Sequence, residues 1–403
     1  MYQDWNQSEI LVLDKNPYLL NFINILIREV KIKQKICYIT YQSFPADTAN
    51  SLQTISNIKY FVKNNVKVNL IFPLRENSSN DSIDKIKEHY SINEDFKVQG
   101  IKHFLPFGKI KIFEGFFFHI SHFLWSLYVV KFIIKTDKDR TFFTRSDWIL
   151  YFLARKGFFV LFECHQTSKV RTFVINKIRG YKNVKFIFLN EHLQSYYKMD
   201  NTNSSVVHNG VDPDLFLEKN NQSSENRTGL IFMGNLKRFN EDRGVNFIIE
   251  NYKNSKFLQN QKLSIVGGPK EEADKLRDEV GKLGLQHIIK VTGRVSRSLI
   301  GELSQNAEIG ILINSSLNNH SYRYTSPLKY FEYLYAGLKI VAVDFPSHRV
   351  LPRNNEINFF DENDNLSFEY AVKNALEATS SDDLINENIT LDTRVKKILN
   401  LIK

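Results

Sequence analysis

Short apolar runs alternate with longer amphipathic stretches along most of this chain, and the runs end at glycine or at a polar residue. Residues 35–40 (KICYIT) and 66–74 (VKVNLIFPL) read as strands, separated by a turn-rich loop and the amphipathic segment LQTISNIKYFVKNN, which makes a βαβ opening. Further apolar runs at 141–145, 157–163, 184–190 and 204–210 fit the same parallel sheet. A polar break at 220–228 (NNQSSENRT) follows. Then GLIFMG, KLSIVGG, IIKVTG, IGILIN and KIVAVD repeat the pattern. The expected fold is α/β, two Rossmann-like domains facing each other across a cleft, over 35–210 and 229–385, joined by a linker at 211–228. Ligand loops are expected at the glycine and polar ends of the strands, because parallel sheets bind outside their carboxyl edge. Residues 1–34 precede this order, and PYLLNFINILIREV within them reads as helix.

The segment SYRYTSPLKYFEYLYAGLKIVAVD, residues 321–344, carries the sharpest local signal. Ser326 suits an N-cap and Pro327 the first helical position, where no N–H is needed. Leu328, Phe331, Leu334 and Tyr335 recur at helical spacing, and Gly337 suits a left-handed residue closing the helix. The free N–H groups and positive dipole end of such a helix form an anion site, whereas any αβ unit of a doubly wound domain would show the same pattern.

Lys and Arg total 54 against 44 Asp and Glu, a net charge of +10, which favours an anionic partner. Cys37 and Cys164 sit in apolar runs without metal-ligand spacing and read as buried thiols of a reducing compartment. The N-terminal residues lack the pattern of a secretory leader, so the expected location is cytoplasmic. Residues 116–134 (FFFHISHFLWSLYVVKFII) form the most apolar stretch, with Lys109, Lys111 and Lys135 flanking it. It reads either as an aromatic interfacial helix lying on an anionic membrane or as a core helix of the first domain.

Taken in order, these segments resemble a GT-B glycosyltransferase, specifically glycosyltransferase family 4, from about Lys35 to the C-terminus. FPADTANS, FFTRSD, FECH, HNGVDPDLF, FMGNLKRFNEDRG, LSIVGG, VTGRV and SPLKYFEYLYAGLKIVA follow in the family's sequence, and residues 386–403 resemble its terminal helix, which returns to the first domain. The resemblance implies transfer of a sugar, with retention at the anomeric carbon, from a nucleoside diphosphate sugar to an acceptor hydroxyl. No further cofactor and no metal is implied. It places the donor diphosphate at the helix start, on Thr325, Ser326, Leu328 and Lys329, and the nucleotide ribose on Glu332. Gly234 would let the backbone approach the diphosphate, and the backbone of Gly293, Arg294 and Val295 would line the base.

Three positions depart from the family. Tyr324 stands where a second glutamate commonly contacts the donor sugar. Asn235 stands where an arginine commonly follows the strand glycine, and Arg243 replaces a lysine. The Arg243 guanidinium remains the candidate for neutralising the leaving diphosphate. His165 at a strand end is a candidate for bonding acceptor or donor sugar. Asn50 and Ser51 either line the acceptor side or cap a helix. The expected partners are a nucleotide sugar, a glycan or lipid-linked glycan of a bacterial surface polysaccharide, and an anionic membrane; no nucleic-acid motif is evident. A noncatalytic nucleotide-binding subunit, and an epimerase or phosphorylase of similar architecture, are the alternatives.

Overall fold

A computed structural model describes residues 34–76, 78–103, 114–136, 140–216, 227–238, 241–378 and 387–402. The expected N-terminal helix, Lys109, Lys111 and most of the linker lie outside these residues. Seven parallel strands build the first sheet: β1 (Lys35–Ile39), β2 (Lys67–Leu74), β3 (Lys97–Lys102), β4 (Thr141–Thr144), β5 (Val160–Cys164), β6 (Val184–Phe188) and β7 (Ser204–Val206). Their order is β3-β2-β1-β4-β5-β6-β7. The second domain opens with β8 (Leu230–Met233), and a small antiparallel pair, β9 (Lys237–Arg238) and β10 (Glu241–Asp242), follows. With β11 (Leu263–Val266), β12 (Ile289–Thr292), β13 (Ile309–Leu312), β14 (Lys339–Val343) and β15 (Ile357–Phe360), β8 makes a parallel sheet of order β12-β11-β8-β13-β14-β15. The apolar runs become strands because both faces are covered by helices, as parallel sheets require. Strand β3 (KVQGIK) is an edge strand buried mainly at Ile101, so its mixed sequence gives no apolar run to recognise.

Each sheet has a layer of apolar side chains on either face. Cys37, Ile39, Phe142, Phe162 and Phe186 point to one side of the first sheet, where Trp125, Val129 and Ile133 meet them. Tyr38, Leu70, Phe143 and Leu161 point to the other, where Phe61 of helix Ala49–Lys63 packs together with Leu391, Val395 and Ile398 of the last helix, Leu391–Asn400. The terminal helix thus belongs physically to the first domain. The chain crosses between domains twice, and the crossings pair: Val211 N–H donates to Ile389 O at 3.0 Å and Leu391 N–H to Val211 O at 2.8 Å. Cys37 and Cys164 are both buried thiols outside any disulfide, and burial pushes the Cys164 thiol up to about 11.

Helix Glu114–Thr136 is long and apolar enough to cross a membrane, yet its inner face is core: Trp125 is 3% exposed. Phe116, Ile120, Leu124 and Tyr128, four residues apart, form an exposed stripe on its outer face.

Candidate functional site

Sequential strands leave β8 and β13 in opposite directions across the second sheet, so the crevice above their carboxyl ends is a topological switch point, where open α/β sheets take their ligands. Arg243 spans that crevice. A Cβ at Gly234, just beyond β8, would lie 3.0 Å from Arg243 Nη1, so the guanidinium rests where a side chain would otherwise stand. From the far side, Arg243 Nε donates to Oδ1 of Asn314, beyond β13, at 3.1 Å. The neighbouring turns close in: a Cβ at Gly267 would fall 1.7 Å from Gly234 O, which only glycine tolerates. The exposed Arg294 passes beside Gly268, the Cβ position at Gly293 has open space around it, and Val295 packs inward against the core. Asn235 is exposed.

Helix Leu328–Tyr335 runs from this crevice to β14, and Tyr333 ties it to β8 by accepting from Met233 N–H at 2.8 Å. Burial pushes the Tyr333 phenol far up, with Glu332 raising it and Arg243 lowering it, so both charges lie within electrostatic reach of one ring. Glu332 is 8% exposed and pairs with Lys329 Nζ at 2.5 Å. The helix closes as its sequence predicts: Gly337 has φ +77°, Leu338 N–H donates to Tyr333 O and Gly337 N–H to Leu334 O. Its start corrects the sequence reading. Pro327, not Ser326, occupies the cap position, and Leu328 begins the helix. The Ser326 hydroxyl is engaged elsewhere, accepting from Asn209 N–H of the first domain at 3.0 Å.

On the facing edge of the first sheet, the switch point lies between β1 and β4. Glu163, fully buried at the end of β5, gathers Arg145, Arg394 and His165. Arg145 Nε and Nη2 each lie 2.8 Å from Glu163 Oε2, and Arg394 of the terminal helix pairs with Oε1. Burial alone would raise the Glu163 carboxyl, but Arg145 and Arg394 hold it well below the usual carboxylate range. His165 Nε2 lies 3.2 Å from Glu163 Oε1, and burial with the Arg145 charge lowers its pKa to about 4, so the imidazole is neutral near pH 7. Arg145 also donates to Asn50 Oδ1 at 2.6 Å, which puts Asn50 at this edge. Ser51 instead serves the local turn: its hydroxyl bonds Ala46 O at 2.6 Å, while Thr48 caps the helix by accepting from Ser51 N–H. Two arginines around one buried carboxylate leave a net positive charge beneath the cleft.

The structure therefore brings Gly234, Arg243, Arg294, Lys329 and Glu332 to the second domain's edge and Asn50 and His165 to the first's. Tyr324 is placed differently. It is 7% exposed and joins the first domain's apolar core, its ring 5.6 Å from Tyr196, so its side chain is not offered to the Arg243 crevice. Thr325 is buried beside it. Sequence reasoning missed Glu163, Arg394 and Asn314. A carboxylate inside the apolar run VLFEC was the available signal, since a buried charge demands a partner. Among the described residues no group of three His, Cys, Asp or Glu side chains could hold a metal ion.

Residues 217–391 match the family described as glycosyl transferases group 1. No curated protein matches the sequence. Among solved structures, sucrose-phosphate synthase from Thermosynechococcus elongatus aligns at TM-score 0.65 with 14% identity, covering 92% of this chain and 98% of that one. A glycosyltransferase from Rickettsia africae aligns at TM-score 0.65 with 15% identity over 92% of this chain and 99% of its own. The E. coli trehalose-6-phosphate structure bound with UDP-2-fluoro glucose aligns at 0.60 with 10% identity, over 91% and 98%. The chain thus shares the GT-B fold over about nine-tenths of its length, and residues 217–391 match glycosyl transferases in sequence.

Proposed function

We propose that this protein is a retaining glycosyltransferase of the family 4 type, moving a sugar from a nucleoside diphosphate sugar to a hydroxyl of a glycan or lipid-linked glycan acceptor. The observation that carries this reading is Arg243 spanning the β8–β13 switch point, with the Lys329–Glu332 pair on the helix that leaves the same edge. A diphosphate there meets the guanidinium and the positive end of helix Leu328–Tyr335, and both interactions strengthen as the glycosidic bond breaks and charge collects on the leaving oxygen. Glu332 accepts from the ribose hydroxyls. The match of residues 217–391 to glycosyl transferases, and the UDP-sugar held by one structural relative, support this assignment of donor class. Front-face attack, with the departing phosphate oxygen taking the acceptor proton, requires no protein nucleophile. Neutral His165 bonds a sugar hydroxyl, and domain closure positions the reactants.

The acceptor side adds a membrane. The stripe Phe116, Ile120, Leu124 and Tyr128, with exposed Lys131 and Lys135 beyond it, suits the headgroup level of an anionic bilayer. A cytoplasmic enzyme bound peripherally there would meet lipid-linked acceptors of surface polysaccharide assembly. The deciding assay incubates the protein with UDP-, GDP-, ADP- and CMP-sugars and measures nucleotide release and glycoside product. Turnover of a donor supports transfer. Binding without any turnover favours a noncatalytic subunit instead, for which the withdrawal of Tyr324 into the first domain is the specific observation.

A further inference from the structure

The segment just before helix Leu328–Tyr335 belongs to the second domain by sequence but is held residue by residue by the first. His320–Tyr324 makes a short π-turn, and Ser347 of the second domain bonds Ser321 O at 3.0 Å. From Arg323 onward the partners change. Asn190, just beyond β6, donates from Nδ2 to Arg323 O at 3.0 Å and to Thr325 O at 3.1 Å. Between these two carbonyls the Tyr324 ring inserts into the first-domain core beside Tyr196 and Tyr197. Ser326 is then gripped at two points by Asn209, whose backbone N–H donates to its hydroxyl and whose Nδ2 donates to its carbonyl at 2.5 Å.

Both asparagines are locked from behind. Asn190 Oδ1 caps helix Glu191–Tyr196 by accepting from Leu193 N–H at 2.9 Å, which fixes the amide so that its two donors face the second domain. Asn209 Oδ1 accepts from Gln53 Nε2. Asn190, Asn209, Tyr324, Thr325 and Ser326 are all buried, Asn190 fully. A buried donor that loses its acceptor costs more than the bond itself contributes, so the arrangement favours one position of the segment strongly.

We propose that Asn190, Asn209 and Tyr324 form a clasp through which the first domain positions the entrance of helix Leu328–Tyr335, and that they are positioning residues for donor turnover. This rests on the reading that the helix start receives the donor diphosphate. Tyr324 then acts as the clasp's anchor rather than as a sugar ligand. The clasp couples the acceptor-side domain to the leaving-group site: nucleotide contacts made by the second domain alone are independent of it, whereas alignment of the helix start for bond cleavage depends on it.

Two substitutions isolate the clasp. Asn190→Ser keeps a side-chain acceptor for the helix cap but removes both cross-domain donors. Asn190→Asp keeps the cap and the shape but sets a carboxylate against two carbonyls. In nucleotide-free protein, amide exchange over residues 320–328 should rise about tenfold in Asn190→Ser and further in Asn190→Asp, with helix 191–196 still protected. Unchanged exchange in both variants overturns the clasp. With whichever of UDP, GDP or ADP binds the wild type, calorimetric affinity should stay within about threefold while donor turnover falls at least about tenfold. A parallel loss of affinity and turnover contradicts the positioning role and makes the segment part of ground-state binding. If none of these nucleotides binds the wild type, the donor reading fails by itself, and the exchange result alone decides the clasp. If Asn190→Asp does not fold, Asn190→Ser with Tyr324→Phe as the control that keeps the anchor gives the same comparison.

Discussion

Lys329 Nζ lies 2.5 Å from Glu332 Oε2, one turn along the same helix, so the cation expected at a diphosphate and the carboxylate expected at a ribose neutralise each other in the cleft. A nucleoside diphosphate would separate their duties, drawing the ammonium to phosphate and leaving the carboxylate to paired hydroxyls. Glu332→Gln should therefore weaken nucleoside diphosphate binding about tenfold or more, the worth of a charge-assisted hydrogen bond, without lowering the melting temperature appreciably. Calorimetry on the folded variant checks this. Unchanged affinity would remove Glu332 from the site.

Arg243→Ala should lower turnover by about a hundredfold while nucleotide affinity falls less, because charge on the diphosphate grows toward the transition state. Arg243→Lys should recover part of the rate, since the charge returns without the bond to Asn314. Steady-state kinetics separates the two effects. An alanine variant with wild-type turnover would leave the crevice without its proposed function.

Much of this architecture is legible in the sequence. Apolar runs ending in glycine or a polar residue mark β1, β2, β8, β11 and β14, because strands covered on both faces must be apolar throughout and parallel sheets turn at their carboxyl edge. Gly337 announces its own helix end, since only its φ of +77° closes the turn cheaply. Ser326 shows where such reasoning stops. Local chemistry makes it a cap, but the competing partner, Asn209, lies 117 residues away. Likewise nothing near Arg394 in the chain points to Glu163, 231 residues earlier. Local periodicity reports elements, while polar pairs that join domains depend on topology.

Two buried histidines, His122 and His348, and the partly buried His165 set a pH dependence. His122, 2.6 Å from Ser146 Oγ, is lowered by burial and the neighbouring His119 and Arg171 to about 3. Burial lowers His165 and His348 to about 4, His348 despite its bond to Val343 O and the nearby Asp344. Their folded pKa values lie below the unfolded value, so the stabilisation from keeping them neutral is fully present above about pH 6.5 and is lost as pH falls toward about 4. Each contributes at most about 1.4 kcal/mol per pH unit across that window. Urea midpoints should drop between about pH 7.5 and pH 5, and His348→Gln should flatten the drop. A midpoint independent of pH in this range would contradict the neutral burial of these rings.

The helix Glu114–Thr136 separates surface from core by single residues. Phe116→Ser with Leu124→Ser should fold normally but pellet less with anionic vesicles, because the exposed stripe is shortened. Trp125→Ser should instead destabilise the first domain by about 3–5 kcal/mol, the cost of emptying a core site. Salt should weaken vesicle binding by screening Lys131 and Lys135. A folded double variant that pellets like the wild type would exclude this stripe as the membrane contact, and circular dichroism distinguishes that result from unfolding.

The crevice spanned by Arg243 and faced by helix Leu328–Tyr335 is proposed to bind the diphosphate of a nucleotide sugar. Thermal unfolding of the wild-type protein with UDP, GDP, ADP or CMP tests it most directly, because a ligand that binds only the folded state at about a hundred times its dissociation constant adds about 2.7 kcal/mol of stability. At least one nucleoside diphosphate should raise the midpoint by several degrees, and Glu332→Gln should diminish this rise. A folded protein whose midpoint none of these nucleotides moves at millimolar concentration would contradict it.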